Sequence, residues 1–187
     1  MPSLRIATYN IHKGVQGLGP RRRLEIHNLG HAVEQFDADL ICLQEVRAFN
    51  RQQARRFQHW PEQGQAEFLA PEGYSAAYRT NAITRHGEHG NALLSRWPLL
   101  WHRQENISDH RFEQRGLLHA EVWVREHSLH VIVVHLGLLH ASRVRQIRAL
   151  HDYIAREVPA HRPLVVAGDF NDWGHTVETM MAGIRYE

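Results

Sequence analysis

The hydrophobic positions of the chain follow two periods, one typical of strands and one typical of helices. Alternating or continuous apolar runs, bounded by glycine, proline or polar residues, predict strands. These predicted strands lie at 4–9, 39–43, 74–78, 91–95, 117–124, 129–136 and 164–168. Apolar residues at helical spacing predict helices over 23–36 and 141–158, and Pro159 and Pro163 end the second helix.

The segments between these elements are predicted to be loops or irregular surface structure. Residues 13–20 contain three glycines and a proline, and the sequence RHGEHG at 85–90 also predicts a loop. The polar stretch 50–73 predicts a surface excursion with a short helix, whereas 98–114 has no regular pattern. The charged residues 125–128 predict the turn of a hairpin between two neighbouring strands.

Several predicted core strands end in a polar side chain that can take part in chemistry. An ordinary turn also needs polar groups, so each of these residues has a structural alternative. If the strands run side by side in similar directions, their ends meet at one rim of a rigid scaffold, where catalytic groups are usually placed. The residues concerned are Asn10, Glu45, His135, Asp169 and Asn171.

Composition narrows the class of protein but not its substrate. A length of 187 residues with 43% hydrophobic residues predicts one domain that spans 1–187. A formal net charge of +2 is too small to indicate nucleic acid as a partner. The single cysteine, Cys42, lies in an apolar run, which excludes an internal disulfide and suits a reducing compartment. The N-terminal residues lack a signal-peptide pattern, and no apolar run has membrane-spanning length, so we expect a cytoplasmic location.

Seven sequence blocks, in a fixed order, are spread over nearly the whole chain. They are TYN at 8–10, DLICLQEV at 39–46, GNALLSRWPL at 90–99, QRGLLHAEV at 114–122, VVHLG at 133–137, RVRQ at 143–146 and VVAGDFN at 165–171. In this order the blocks resemble the endonuclease/exonuclease/phosphatase superfamily, of which deoxyribonuclease I is a member, and within it a small bacterial branch. The resemblance implies an α+β fold of four layers, α/β/β/α, with two mixed and mainly antiparallel sheets.

The end of the chain departs from this family pattern. The family ends with an Asp-His pair on its last strand, but here Glu187 follows Asn171 without one. We therefore expect a C-terminally truncated member with its last strands missing. Such a truncation leaves an edge or an apolar face of a sheet exposed, which predicts self-association.

Two other polar groups are assigned to the surface rather than to a site. The sequence Ser-Asp-His at 108–110 precedes the QRGLL block, which is the wrong place for the family's terminal pair. Arg143, Arg145 and Arg148 lie off the apolar stripe of the helix 141–158, so we expect them to form a solvated face.

The resemblance also implies roles for individual residues. It assigns metal binding to Glu45 and Asn10, and catalysis to Asp169, Asn171 and His135. The alternatives are a surface carboxylate for Glu45, a turn cap for Asn10, a plain turn at 168–171 and a core histidine for His135. Three further residues are candidates for substrate binding, although a solvated Arg47 is an equal alternative: His12, Arg47 and His89.

Together these residues predict a phosphoric ester hydrolase of the phosphodiesterase or nuclease type. Carboxylate and amide oxygens suit Mg²⁺, with Mn²⁺ as an alternative, and a hard cation neutralises charge on phosphoryl oxygens. Nucleic acids, phospholipid headgroups and inositol phosphates all remain open as substrates. Because the terminal Asp-His pair is absent, the alternative is a noncatalytic module that binds phosphate or nucleic acid.

Overall fold

A computed structural model of the chain describes residues 3–110, 113–172 and 180, and these form two main sheets with helices outside them. The strands of this described part are Ile6–Asn10 (β1), Val15–Gln16 (β2), Arg23–Leu24 (β3), Leu40–Val46 (β4), Ser75–Thr84 (β5), Gly87–Ser95 (β6), Leu99–Asn106 (β7), Gly116–Val124 (β8), His127–His135 (β9) and Leu164–Asp169 (β10). The α-helices are Ile26–Gln35 (α1), Arg51–Arg56 (α2), Gln65–Leu69 (α3) and His140–Glu157 (α4).

Each main sheet contains one parallel pair and otherwise antiparallel pairs. In the first sheet the strand order is β1-β4-β6-β5, and β1 pairs in parallel with β4, with Asn10 opposite Gln44. In the second sheet the order is β10-β9-β8-β7, and β9 pairs in parallel with β10, with His135 opposite Asp169. The carboxyl ends of each parallel pair therefore lie side by side, as expected for strands whose polar ends form one rim.

Three clusters of buried apolar side chains separate the layers. Val33 of α1 packs with Ile41 on the outer face of the first sheet. Leu93 and Val131 belong to the cluster between the two sheets. Ile147 of α4 packs against the outer face of the second sheet. The order of layers is helix, sheet, sheet, helix, which confirms the predicted α/β/β/α sandwich.

The continuous apolar runs are strands that are buried on both faces. In β4, Leu40 and Cys42 face the second sheet, whereas Ile41 and Leu43 face the helices. A strand between two hydrophobic layers has no solvent side, so it shows no alternation of polar residues. Among the described residues, no helix is both long and apolar enough to pass through a bilayer.

The structure corrects two of the predicted loops. Residues 87–90 belong to β6, because only Arg85 and His86 separate β5 from β6. The segment 98–114, predicted to be irregular, contains β7, which pairs with β8 along most of its length. β7 is an edge strand with a largely polar sequence, so its backbone pairing rather than its side-chain pattern defines it.

The structure also corrects the environment of Arg143. This side chain is buried rather than solvated, and its Nη1 donates to the carbonyl oxygens of Leu138 at 2.6 Å and Gly137 at 3.4 Å. Arg145 and Ser142 both bind the carboxylate of Asp109, the central residue of the Ser-Asp-His sequence. Asp109 therefore ties its loop to α4, and these two bonds hold its pKa at about 2.

Candidate functional site

The carboxyl ends of the two parallel strand pairs meet between the sheets. Asn10 ends β1 in the first sheet, and Asp169 ends β10 in the second. Nδ2 of Asn10 donates to Oδ2 of Asp169 over 3.0 Å. A single hydrogen bond therefore joins two predicted site residues that are 159 positions apart in sequence.

Asp169 is held by hydrogen bonds on both of its carboxylate oxygens. Oδ2 accepts from Asn10, and Oδ1 accepts from the backbone N–H of Asn171 over 3.0 Å. The Asn171 side chain donates from Nδ2 to the carbonyl oxygen of Leu136 over 2.8 Å. Asn171 therefore fixes the turn after β10 against the end of β9, and one of its amide hydrogens is already used.

His135 lies beside Asp169 in the second sheet. Its Nε2 is 3.8 Å from Oδ2 of Asp169, and the residue is only 7% exposed. Burial and the nearby charge of Arg115 lower the pKa of His135, although Asp169 and Glu45 act in the opposite direction. His135 is therefore neutral at neutral pH and has one N–H to donate.

Glu45 faces the same space from the first sheet. Its Oε2 forms an ion pair with Nζ of Lys13 at 2.9 Å. Burial by itself raises the pKa of Glu45, but the bond and charge of Lys13, with His135 and His12, hold that pKa below its ordinary value. Glu45 is consequently an ionised carboxylate that already pairs with a cation.

The backbone at this site is unusual. Seven non-glycine residues in the described part of the chain have positive φ, and four of them are site residues: His12, Lys13, Glu45 and Asn171. Glu45 takes φ 57° where the pairing of β4 with β6 shifts register between Leu43 and Val46. Residues other than glycine rarely adopt a positive φ unless surrounding contacts compensate for the backbone strain. Residues with such strain are concentrated at functional sites.

Basic side chains surround the two carboxylates. Burial, then the charge of Arg22, lowers the pKa of Arg47 to about 10. Burial, then the charge of Lys13, lowers the pKa of His89 to about 4. His12 is exposed, and its backbone N–H donates to Oδ1 of Asn10 over 3.0 Å. The structure therefore brings the predicted residues together at one place, where Lys13 is paired with Glu45 and Arg47 remains a cation.

Sequence reasoning missed two basic residues here. Lys13 reaches Glu45 from the short 3-10 helix His12–Gly14, and Arg115 contributes to the electrostatic field at both His135 and His89. Arg115 forms an ion pair with Glu113 at 3.1 Å. Arg115 directly precedes the buried strand β8, whereas the other candidates lie at the carboxyl ends of buried strands. A search for polar residues at both ends of each strand would therefore have identified Arg115.

The donor set is suited to a hard divalent cation. Glu45 is ionised, and the other oxygen donors at the rim are the carboxylate of Asp169 and the amide oxygen of Asn10. No group of three or more His, Cys, Asp or Glu side chains in the described residues is arranged to hold a metal ion. Carboxylate and amide oxygens are the donors that hard divalent cations prefer.

Comparison with known proteins gives one family. The sequence profile of the Endonuclease/Exonuclease/phosphatase family matches residues 7–182. "Uncharacterized protein YbhP" of Escherichia coli (strain K12) is 38% identical over 174 residues, which cover 91% of this chain and 68% of that protein.

Solved structures show the same fold at low sequence identity. A family protein from Leptotrichia buccalis has a TM-score of 0.71 at 16% identity, and the match covers 96% of this chain and 73% of that one. Sphingomyelinase C from Streptomyces griseocarneus has a TM-score of 0.69 at 21% identity, with 97% and 70% covered. The human Nocturnin catalytic domain has a TM-score of 0.67 at 20% identity, with 98% and 69% covered.

Proposed function

The chain belongs to the Endonuclease/Exonuclease/phosphatase family, and from this premise we propose that it is a metal-dependent hydrolase of phosphodiesters. The observation that supports the proposal most directly is the bond between Asn10 and Asp169, with Glu45 and His135 beside it. Structural neighbours include a sphingomyelinase and a 2',3'-cyclic phosphatase, so the fold serves phosphoric esters of different alcohols. The fold alone does not select among them.

Glu45 and Asn10 are the proposed ligands of the cation. We assign Mg²⁺, with Mn²⁺ as the alternative, because both proposed ligands are oxygen donors and Glu45 is ionised. When bound, the cation supplies positive charge that offsets the charge on the phosphoryl oxygens of the ester. The ammonium group of Lys13 is bound to the same carboxylate, so a cation held by Glu45 would compete with Lys13 for it.

Asp169 is the proposed group that orients and deprotonates the attacking water. Its carboxylate has a fixed direction because Asn10 and the backbone of Asn171 each donate to one oxygen. Because the base is held in one position, less entropy is lost when the water and the base reach the reactive arrangement, and the barrier to the reaction is lower.

His135 and the basic side chains are the proposed contacts for the phosphoryl group. A neutral His135 donates one N–H to a phosphoryl oxygen and stabilises the charge that develops there. Asn171 supports the same group through the amide hydrogen that Leu136 leaves free. His12, Arg47 and His89 are proposed to bind the remainder of the ester, with Arg47 as the permanent positive charge.

The proposal is tested by hydrolysis of bis(4-nitrophenyl) phosphate with Mg²⁺, with Mn²⁺ and with a chelator. We expect turnover that the chelator abolishes and that either cation restores. Asp169→Asn should lower kcat by about a hundredfold or more, because amide nitrogen and oxygen cannot accept the proton. The matched control is Asp152→Asn, since Asp152 is an exposed carboxylate on α4.

Two results would overturn this function in different ways. Turnover that survives both the chelator and Asp169→Asn contradicts the proposed mechanism. Binding of Mg²⁺ and phosphate in a calorimeter without turnover of any diester supports the noncatalytic phosphate- or nucleic-acid-binding module instead. A single domain over 1–187, a cytoplasmic location and self-association remain predictions. Limited proteolysis of the purified protein tests the first, fractionation of cells tests the second, and sedimentation of the purified protein tests the third.

A further inference from the structure

A depression of about 410 Å³ lies directly beside the candidate site. Asn10 and His12 form part of its wall, so the depression and the candidate site share two residues. A second depression, of about 460 Å³, is bordered by His89 and Arg115. The site therefore has one opening beside the end of β1 and another beside the start of β8.

The two depressions differ in chemistry. The first is lined largely by apolar side chains, including Tyr9, Val15 and Leu18. The second includes the ion pair of Glu113 with Arg115, and its lining is more polar. A diester has two alcohol arms on one phosphate, so a site flanked by unlike depressions suits a substrate with unlike arms.

Two apolar side chains that line the first depression are exposed, whereas Ile11 in the same wall is buried. Leu18 is 83% exposed and Tyr9 is 40% exposed. Exposed apolar groups that gather around a concavity are typical of ligand sites, whereas scattered ones need no explanation. The Tyr9 ring also contacts Phe36 edge to face at 5.8 Å, so its orientation is already fixed.

The wall of this depression is held in place by its own contacts. The short hairpin β2–β3 pairs Val15 with Leu24, and the Arg23 side chain donates to Oε1 of Gln16. Glu25, the carboxylate in the wall, is already in an ion pair with Arg23 at 2.6 Å. The depression is therefore preformed, and its one carboxylate is neutralised and does not repel an anionic ester.

We propose that this depression binds an apolar ring or short alkyl arm of the phosphodiester substrate, and that Leu18 contributes to selecting it. The proposal rests on the proposed function, because the phosphoryl group must lie at Asn10 and Asp169 for its ester arm to reach Leu18. The substrate class is a phosphodiester with one apolar arm and one polar arm.

Nonhydrolysable phosphonates test this assignment without requiring turnover. Methylphosphonate and benzylphosphonate carry the same anionic group and differ only in the size of the apolar arm. We expect calorimetric titration in the presence of Mg²⁺ to give a Kd for benzylphosphonate about tenfold or more below that for methylphosphonate. Equal Kd values would overturn the inference.

The variant Leu18→Gln locates the benzyl group. Glutamine has nearly the volume of leucine, so the preference for benzylphosphonate should fall to within about twofold because apolar contact is lost. The matched control is Leu100→Gln on the edge strand β7, where Leu100 is 52% exposed. A preference that Leu18→Gln leaves intact would place the ring elsewhere and would also overturn the inference.

Failure of this inference and failure of the proposed function give different results. If bis(4-nitrophenyl) phosphate is hydrolysed in a chelator-sensitive way but both phosphonates bind equally, the function stands and the apolar subsite is rejected. If the diester is not hydrolysed and neither phosphonate binds with Mg²⁺, the site itself is wrong.

Discussion

Asn10 and Asp169 are the last residues of two strands in different sheets, and the Asn10 side chain donates to the Asp169 carboxylate over 3.0 Å. The bond connects the two sheets at the carboxyl ends of β1 and β10, and it sets the direction of the Asp169 carboxylate. It also gives Asn10 two functions in the proposed mechanism, since the same side chain is a proposed metal ligand and a support for the base.

Removal of the Asn10 side chain should therefore impair catalysis more than stability. For Asn10→Ala at saturating Mg²⁺ we expect kcat to fall at least about tenfold because Asp169 loses its fixed direction. The free energy of unfolding should fall by about 1 kcal/mol, because the two hydrogen bonds of the side chain, to Asp169 and from the backbone of His12, are not fully buried. Diester turnover and urea unfolding measure the two effects. The control Asn106→Ala removes an exposed bond from the backbone N–H of Ser108 at the end of β7 and should leave kcat unchanged, and an unchanged kcat in Asn10→Ala would contradict the role.

Glu45→Gln should weaken binding of the cation rather than the stability of the fold. Glutamine keeps the shape but loses the charge, so we expect the Mg²⁺ concentration for half-maximal turnover to rise about tenfold or more. The measurement is turnover against Mg²⁺ concentration. Glu34→Gln, which alters an exposed carboxylate on α1, is the control and should keep the original Mg²⁺ dependence. If both variants respond alike to Mg²⁺, Glu45 is not a ligand.

The buried histidines beneath α4 should make the protein sensitive to acid. His119 is fully buried, with Nε2 2.9 Å from Nδ1 of His130 and Nδ1 2.9 Å from the hydroxyl of Tyr153. Burial, then the charges of His130 and Arg103, lowers the pKa of His119 to about 4. The ordinary histidine value of about 6.5 applies to the unfolded chain.

Because the folded pKa is the lower one, the unfolded chain binds the proton first as pH falls. The contribution of His119 to stability is therefore complete above about pH 6.5 and is lost between about pH 6.5 and 4. Between pH 7.5 and 5, the loss in urea unfolding should be about 2 kcal/mol larger for the wild type than for His119→Gln, which keeps the contributions of His89 and His135. The exposed His31 provides the control variant His31→Gln, which should retain the loss. Identical pH curves for wild type and His119→Gln would refute the assignment.

Gly168 should not tolerate a side chain. It has φ +151°, and a Cβ there would overlap the carbonyl oxygen of Val134 in the neighbouring strand β9. We expect Gly168→Ala to separate β10 from β9 next to Asp169, with a loss of about 3 kcal/mol or more and little remaining activity. Gly30 in α1 is the matched control, since nothing lies within 4 Å of its Cβ position. Gly30→Ala should stabilise the helix by about 0.5–1 kcal/mol in thermal or urea unfolding, and equal effects at both glycines would contradict the packing argument.

Much of the architecture could be predicted from the local pattern. The apolar runs of β4 and β9 predicted strands, and the apolar stripe of α4 predicted an amphipathic helix. The edge strand β7 was missed because its polar side chains carry no such pattern. Its strand character comes from hydrogen bonds to β8, which are independent of side-chain type.

The sequence by itself determined which residues end the buried strands, because burial patterns depend on neighbours a few positions apart. The sequence pattern therefore identifies Asn10, His135 and Asp169 as candidates. Only the tertiary structure decided that Lys13 pairs with Glu45, that Arg143 is buried and that Glu45 takes a positive φ. These features depend on contacts between segments distant in sequence and on a register shift between strands. Neither produces a hydrophobic periodicity, so neither can be predicted from the amino-acid pattern.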